Sequence, residues 1–256
     1  MYFLCIGHSH LDALKWEYMN GRARGAYADI ELEFIDLHDT ADYTHYAVAS
    51  KVLHTQLIAA VDAVAAARAG PPAAVFLSIG GSEQHVISML NHDQPLDVIV
   101  PWDTGAPITP GATLVPLHMM DALIRHRCDW KLNLLRAIGM HFDCPIYFFQ
   151  APPPIASEEH LRAYPGPRFA PLAEAHGFSP LPFRRKVADM HSAMYARCCD
   201  EAGVTYLARP PEGLNEAGNL PVESCEQDSI HANGFYGSLL AAQISVVQSA
   251  LKERSL

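Results

Sequence analysis

Short β-prone runs that stop at glycine or polar residues, separated by stretches of helical periodicity, constrain the fold of this chain most. The first run covers residues 2–6 and ends at Gly7. Others lie at 31–37, 74–79, 145–149 and 205–208. A strand that is apolar on both sides is one buried between two layers, which is the habit of a parallel sheet. Between the runs, Leu11, Leu14 and Tyr18 recur at helical spacing. Leu53, Leu57, Val61 and Val64 do the same until Gly70-Pro71-Pro72 ends the pattern. Further helices are predicted over about 117–140, with Ile124, Trp130, Leu134 and Ile138 inward, and over about 184–202. The last, over about 232–252, turns Leu240, Ile244, Val247 and Leu251 inward. Strands that alternate with helices throughout predict an α/β protein. The expected architecture is a three-layer α/β/α sandwich around a parallel sheet of about five strands.

The 256 residues fit a single domain over 1–256, interrupted by Pro-rich insertions at about 90–118 and 152–183. The first is expected to be irregular, with a short hairpin near 97–100. Long connections of this kind serve as lids, as binding loops or as plain surface, and their composition does not choose. The formal net charge of −10, with no basic run to offset it, argues against a nucleic-acid partner. Arg184-Arg185-Lys186 reads as a solvated helix face. No apolar stretch approaches the roughly 20 residues that cross a bilayer, and residues 1–6 lack a signal-peptide pattern. A cytoplasmic protein without a membrane partner is the expectation. The six cysteines form no CxxC pair and read as reduced core thiols, Cys198-Cys199 among them. Most of the 14 histidines, such as His45, His54, His160 and His176, read as surface or partly buried polar residues.

In open parallel sheets, ligands bind outside the carboxyl ends of the strands. Gly7-His8-Ser9-His10 follows the first run and His38-Asp39 the second. Gly80-Gly81-Ser82-Glu83-Gln84-His85 follows the third, and Asp228-Ser229-Ile230-His231 precedes the last helix. Hydroxyl, imidazole, carboxylate and glycine-rich backbone therefore converge on one edge. Ser9 stands where a strand gives way to a helix. A plain N-cap would sit there too, but free N–H groups at that point also stabilise developing negative charge. Asp228 is spaced to reach one nitrogen of the His231 ring while the other faces outward.

Gly7-His8-Ser9-His10-Leu11 resembles the first block of the SGNH/GDSL hydrolases, which usually reads Gly-Asp-Ser. Asp228-Ser229-Ile230-His231 resembles their last block, Asp-x-x-His, and Ile79-Gly80-Gly81-Ser82-Glu83 their third, Gly-x-Asn-Asp. The resemblance implies a flavodoxin-like sandwich and ester or O-acyl hydrolysis of a small-molecule or glycan-linked substrate, with no cofactor. It makes Ser9 the nucleophile, His231 the base and Asp228 the orienting carboxylate. The oxyanion donors would come from the Ser9 N–H and from Gly81, Ser82, Gln84 or His85. Three departures stand out. His8 replaces the usual Asp, and Ser82 replaces the Asn that donates to the oxyanion. Leu37-His38-Asp39-Thr40 stands where the second block has a Gly.

Two other readings compete. His8 and His10 form a His-x-His after a strand, as in metal-dependent amidohydrolases, with His85, His231 and Asp228 or Asp39 to complete an ion site. Such enzymes use an eight-stranded barrel. Alternatively, the altered third block belongs to a module that binds without catalysing. Trp102 with Asp103 is a candidate sugar-stacking face, or a tryptophan that packs its insertion down.

Overall fold

The computed structural model describes residues 1–37, 47–48 and 52–254. His38, Asp39, Thr40 and His45 lie outside the described residues. The strands are β1 (Phe3–Gly7), β2 (Leu32–Asp36), β3 (Ala47–Val48), β4 (Val52–Leu53), β5 (Ala74–Ser78), β6 (Leu96–Asp97), β7 (Thr113–Leu114), β8 (Ile146–Phe149) and β9 (Thr205–Leu207). The helices are α1 (Asp12–Ala23), α2 (Thr55–Ala67), α3 (Ser82–Ser88), α4 (Leu117–His141), α5 (Glu158–Ala163), α6 (Gly166–His176), α7 (Leu181–Glu201) and α8 (Gly234–Arg254).

Five strands pair in the order β2-β1-β5-β8-β9, every pairing parallel. Counted along the chain this is 2-1-3-4-5, the flavodoxin-like order. Because strand side chains alternate, each strand feeds two cores. Leu4 and Ile6 of β1 join Val75 and Leu77 of β5 and Phe148 of β8 on one face, covered by α2, α4 and α7. Phe3, Cys5, Phe76 and Phe149 face the other way, under α1 and α8 with Leu161 of α5 and Phe169 of α6. Helices thus cover both sheet faces, and the three-layer α/β/α arrangement is as expected. The α1–α8 seam is tight. A Cβ at Gly237 would stand 2.1 Å from the Ala13 carbonyl oxygen, so only glycine fits there.

Several local expectations are corrected. Leu53 belongs to β4, paired antiparallel with β3, and α2 starts only at Thr55. The hairpin expected at 97–100 is instead a parallel pairing of β6 with β7. Val98 and Val100 are buried in the core, so their apolar character reflects packing and not strand pairing. The 152–183 stretch is not structureless. It holds α5 and α6, with proline in the first turn of α6, where no N–H is missed. The basic cluster is not a solvated face either. Lys186 is 3% exposed and donates to Asp97 Oδ1 and to the Pro107 carbonyl, both at 2.9 Å. Arg184 is also 3% exposed and donates to the carbonyls of Ser179 and Ile155. These bonds pin the two insertions to the start of α7. His160, expected at the surface or partly buried, is buried at 8% exposure. No disulfide joins any of the cysteines, and five of the six are buried. Among the described residues, no helix is long and apolar enough to cross a membrane.

Candidate active site

Gly7 ends β1 level with Ser78 of β5. The His8 N–H still donates to the Ser78 carbonyl at 3.1 Å, so the chain leaves the sheet at Ser9. Ser9–Leu11 forms one 3-10 turn, closed by the Leu11 N–H on the His8 carbonyl at 2.7 Å, and runs directly into α1. Ser9 therefore stands at the amino end of a helical segment, the electropositive end.

The other half of the site is built in the loop before α8. Asp228 accepts the backbone N–H groups of Ile230 and His231 on Oδ1, at 2.8 and 2.7 Å. This local turn, rather than a helical turn, brings residues three apart together. The loop is tied down from outside. The His160 ring meets the Asp228 carbonyl at 2.9 Å, Ser229 Oγ donates to the Pro165 carbonyl, and Cys225 bridges to Ala232.

These fixed segments bring three side chains into line. Ser9 Oγ lies 2.7 Å from His231 Nε2, and His231 Nδ1 lies 2.5 Å from Asp228 Oδ2. A carboxylate can only accept, so Nδ1 carries the ring proton and Nε2 offers its lone pair to the Ser9 hydroxyl. Burial would raise the Asp228 carboxyl. The hydrogen bonds from the His231 ring and from the two backbone N–H groups outweigh it and hold Asp228 well below the usual carboxylate range. Ser9, Asp228 and His231 border a cavity of about 480 Å³, together with Asp12 and Trp16 of α1, Glu226 and Asn233 before α8, and Phe235 in its first turn.

The third-block loop lies one layer further in. Gly80 and Gly81 both have positive φ, 95° and 107°, a conformation that favours glycine. The His10 ring packs on Gly81, where a Cβ would stand 2.6 Å from its Nε2, and tilts against the His231 ring at 5.0 Å between centroids. His10 Nε2 is buried without a hydrogen-bond partner. Burial, then the neighbouring His231 and His85 rings, lower the His10 pKa well below its ordinary value, so this imidazole is neutral.

Of the expected oxyanion donors, most are engaged elsewhere. The Gly81 N–H donates to Glu83 Oε2 at 3.0 Å, and Gln84 Nε2 donates to the Pro152 carbonyl at 3.1 Å. His85 is 2% exposed. The Ser82 hydroxyl is half-buried, and its bond to Glu83 is a long 3.4 Å. Gly81, Ser82, Gln84 and His85 do not border the cavity beside Ser9.

Beneath this loop is a charged cluster that the sequence pattern does not announce. Glu83 pairs with Lys131 of α4 and lies 3.4 Å from His191 of α7. Burial would raise the Glu83 carboxyl, but His191 and Lys131 together hold it far below the ordinary range. Tyr195 closes the cluster, its hydroxyl where a Gly80 Cβ would fall. A lysine within the inward stripe of Ile124, Cys128, Leu134 and Ile138 is the one trace in the sequence. The cavity residues Trp16, Glu226 and Phe235 leave no such trace, because α1 and α8 meet only in the fold.

The His-x-His reading is not favoured. His8 packs edge-on against Trp130 of α4 at 5.6 Å, while His10 packs against His231. The sheet is open and five-stranded, not a barrel. Among the described residues, the group whose ligand atoms are close enough to share an ion is Glu83, Cys128 and His191, and it contains neither His8 nor His10. Trp102 and Asp103 border a separate cavity of about 190 Å³.

No family model matches the chain, and no curated protein does. Solved structures of similar arrangement include a GDSL-like lipase from Bacteroides thetaiotaomicron, 11% identical over 100% of this chain and 89% of that one, with a TM-score of 0.42. A carbohydrate acetylesterase from Sinorhizobium meliloti is 12% identical over 98% and 99% of the two chains, with a TM-score of 0.43. The periplasmic domain of a lipopolysaccharide acetyltransferase from Salmonella ser. Paratyphi A is 11% identical over 95% and 82%, with a TM-score of 0.44.

Proposed function

We propose that this chain is a serine esterase, an O-acyl hydrolase in which Ser9 is the nucleophile, His231 the general base and Asp228 the carboxylate that orients it. The observation that carries the reading is the unbroken chain from Ser9 Oγ through His231 to Asp228 on the rim of an open cavity.

His231 Nε2 takes the Ser9 proton as Oγ bonds to the ester carbonyl carbon. Base assistance of this kind is worth about 10²–10⁴-fold. The Asp228 carboxylate stabilises the imidazolium that forms. As the tetrahedral intermediate collapses, the bond to the alcohol oxygen breaks and His231 returns the proton to it. Water then attacks the acyl-Ser9 carbonyl and gives its proton to His231. The acid leaves and the Ser9 hydroxyl is restored. The Ser9 N–H, at the head of the 3-10 turn, is one oxyanion donor. Of the third-block groups we assign the second donor to Ser82, whose hydroxyl is only weakly held and would have to turn toward the cavity that it does not border. An alcohol in place of water would make the same machinery a transferase.

The test uses p-nitrophenyl acetate and a fluorophosphonate probe. Ser9→Ala should abolish turnover and labelling while leaving the circular dichroism spectrum unchanged. Turnover that survives in Ser9→Ala removes Ser9 from the mechanism. A wild-type protein that neither turns over the ester nor labels at Ser9 returns the site to binding alone.

A further inference from the structure

We infer that the cavity bordered by Trp102 holds a free amino acid, a compact zwitterion with an apolar side chain. This cavity of about 190 Å³ shares no wall residue with the one beside Ser9. Drug-sized ligands take about 300–1,000 Å³, so a space of this size suits a small metabolite. Among the described residues, the wall comes from the first insertion, the start of α7 and the connection between β9 and α8. Lys186, bonded to Asp97 and to the Pro107 carbonyl, locks the first two of these together, so that part of the wall is already formed.

Two opposite charges border this space without closing on each other. Arg185 and Asp189 stand four residues apart on α7, the spacing at which such pairs commonly meet. Here the guanidinium acts on the carboxyl through charge alone, with no hydrogen bond between them. Burial pushes the Asp189 carboxyl up, so a cation brought against it is favoured more than at an open surface. Four residues of helix rise about 6 Å. A ligand whose anion and cation are a few bonds apart fits that interval, with its carboxylate on Arg185 and its ammonium on Asp189. The polarity of α7 agrees. Leu181 and Pro182 of its first turn also border the cavity, which puts the electropositive end of the helix on the Arg185 side.

An orphaned acceptor in the wall completes the set. Asn219 is 2% exposed, and its Oδ1 has no hydrogen-bond partner. A buried oxygen left unpaired is costly, and such a group marks a place where a ligand or ion completes the bonding. An ammonium brings three donors and no acceptor, which matches Asn219 Oδ1 and the Asp189 carboxylate. It also relieves the repulsion that Asp103, another wall residue, exerts on Asp189. A neutral alcohol would satisfy Asn219 and leave both charges unmatched, and a simple cation would leave Arg185. Trp102, 54% exposed, and Pro107 give the apolar surface for the ligand's side chain.

The experiment titrates the full chain with leucine, proline and phenylalanine by calorimetry at low ionic strength. The tightest of the three is then compared with its N-acetyl derivative, which lacks the ammonium, and with its amide, which lacks the carboxylate. The free amino acid should bind at least about tenfold more tightly than either. Asp189→Asn should erase the advantage over the N-acetyl form and keep the advantage over the amide. Arg185→Gln should do the reverse. Each variant carries its own control for folding, since an unfolded chain would lose both. Ser9→Ala should leave every affinity unchanged, because the two cavities have separate walls. Binding by none of the three amino acids would overturn the inference. So would equal affinity for free and blocked forms, advantages that do not divide between the two substitutions in this way, or binding lost in Ser9→Ala. Ester turnover enters none of these readings, so the esterase proposal stands or falls separately.

Discussion

The Gly81 N–H is held 3.0 Å from Glu83 Oε2. That carboxylate is shared, because Lys131 of α4 pairs with its other oxygen. One buried charge thus ties the glycine turn after β5 to α4. Removing Glu83 strands the Lys131 charge, and removing Lys131 leaves the Glu83 carboxylate with only His191 and the Gly81 N–H beside it.

Glu83→Gln and Lys131→Met should each destabilise the fold by about 3–5 kcal/mol. The double variant should cost clearly less than the sum, since neither charge is then stranded. Urea denaturation of the four proteins measures the cycle. Additive losses would show that the pair does not act as a unit.

Protons should couple to stability through the imidazoles behind the site. Burial, then Arg184 and the His231 ring, push His85 down to about 3, against an ordinary 6.5. Between those values the unfolded chain binds a proton that the folded chain does not. Stability should therefore be full above about pH 6.5 and fall as the pH drops towards 3, by up to about 1.4 kcal/mol per unit for each such proton. His10 shifts in the same direction and adds to the slope. His85→Gln should flatten the dependence by about one proton, read from urea midpoints at pH 7 and pH 5. Parallel slopes in the two proteins would contradict the assignment.

The α1–α8 seam should govern the distance between Ser9 and His231. Gly237 admits no Cβ against the Ala13 carbonyl. Gly237→Val must push the helices apart, at a cost of about 1–3 kcal/mol or more and about 2–4 °C in Tm for each kcal/mol. Ester turnover should fall with it, although position 237 touches neither Ser9 nor His231. Thermal melts and turnover measured on the same preparation check both halves.

The fold was legible where one strong force set the pattern. Strands buried on both faces cannot tolerate polar side chains, so all five sheet strands appear in the sequence within a residue or two of their ends. That Ser9, Asp228 and His231 lie together was legible for a related reason: the carboxyl ends of parallel strands are where such groups gather. What failed was set by partners distant in sequence. Arg184 and Lys186 look like surface cations until Ile155, Asp97 and Pro107 arrive to receive them. The prolines of 152–183 look like breakers, yet Pro167 sits in the first turn of α6 and Pro171 lies further along it. The oxyanion donors expected from Gly81 and Gln84 could not be weighed before their bonds to Glu83 and Pro152 were seen.

The hydroxyl at residue 9 and the imidazole at residue 231 meet across 222 positions. During synthesis, Ser9 leaves the ribosome long before His231 does. The imidazole follows 222 residues later, and the helix after it must dock on α1 before the two can meet. On the proposed mechanism, a chain that stops short of residue 231 has no base for Ser9, so the order of translation alone keeps that hydroxyl inert.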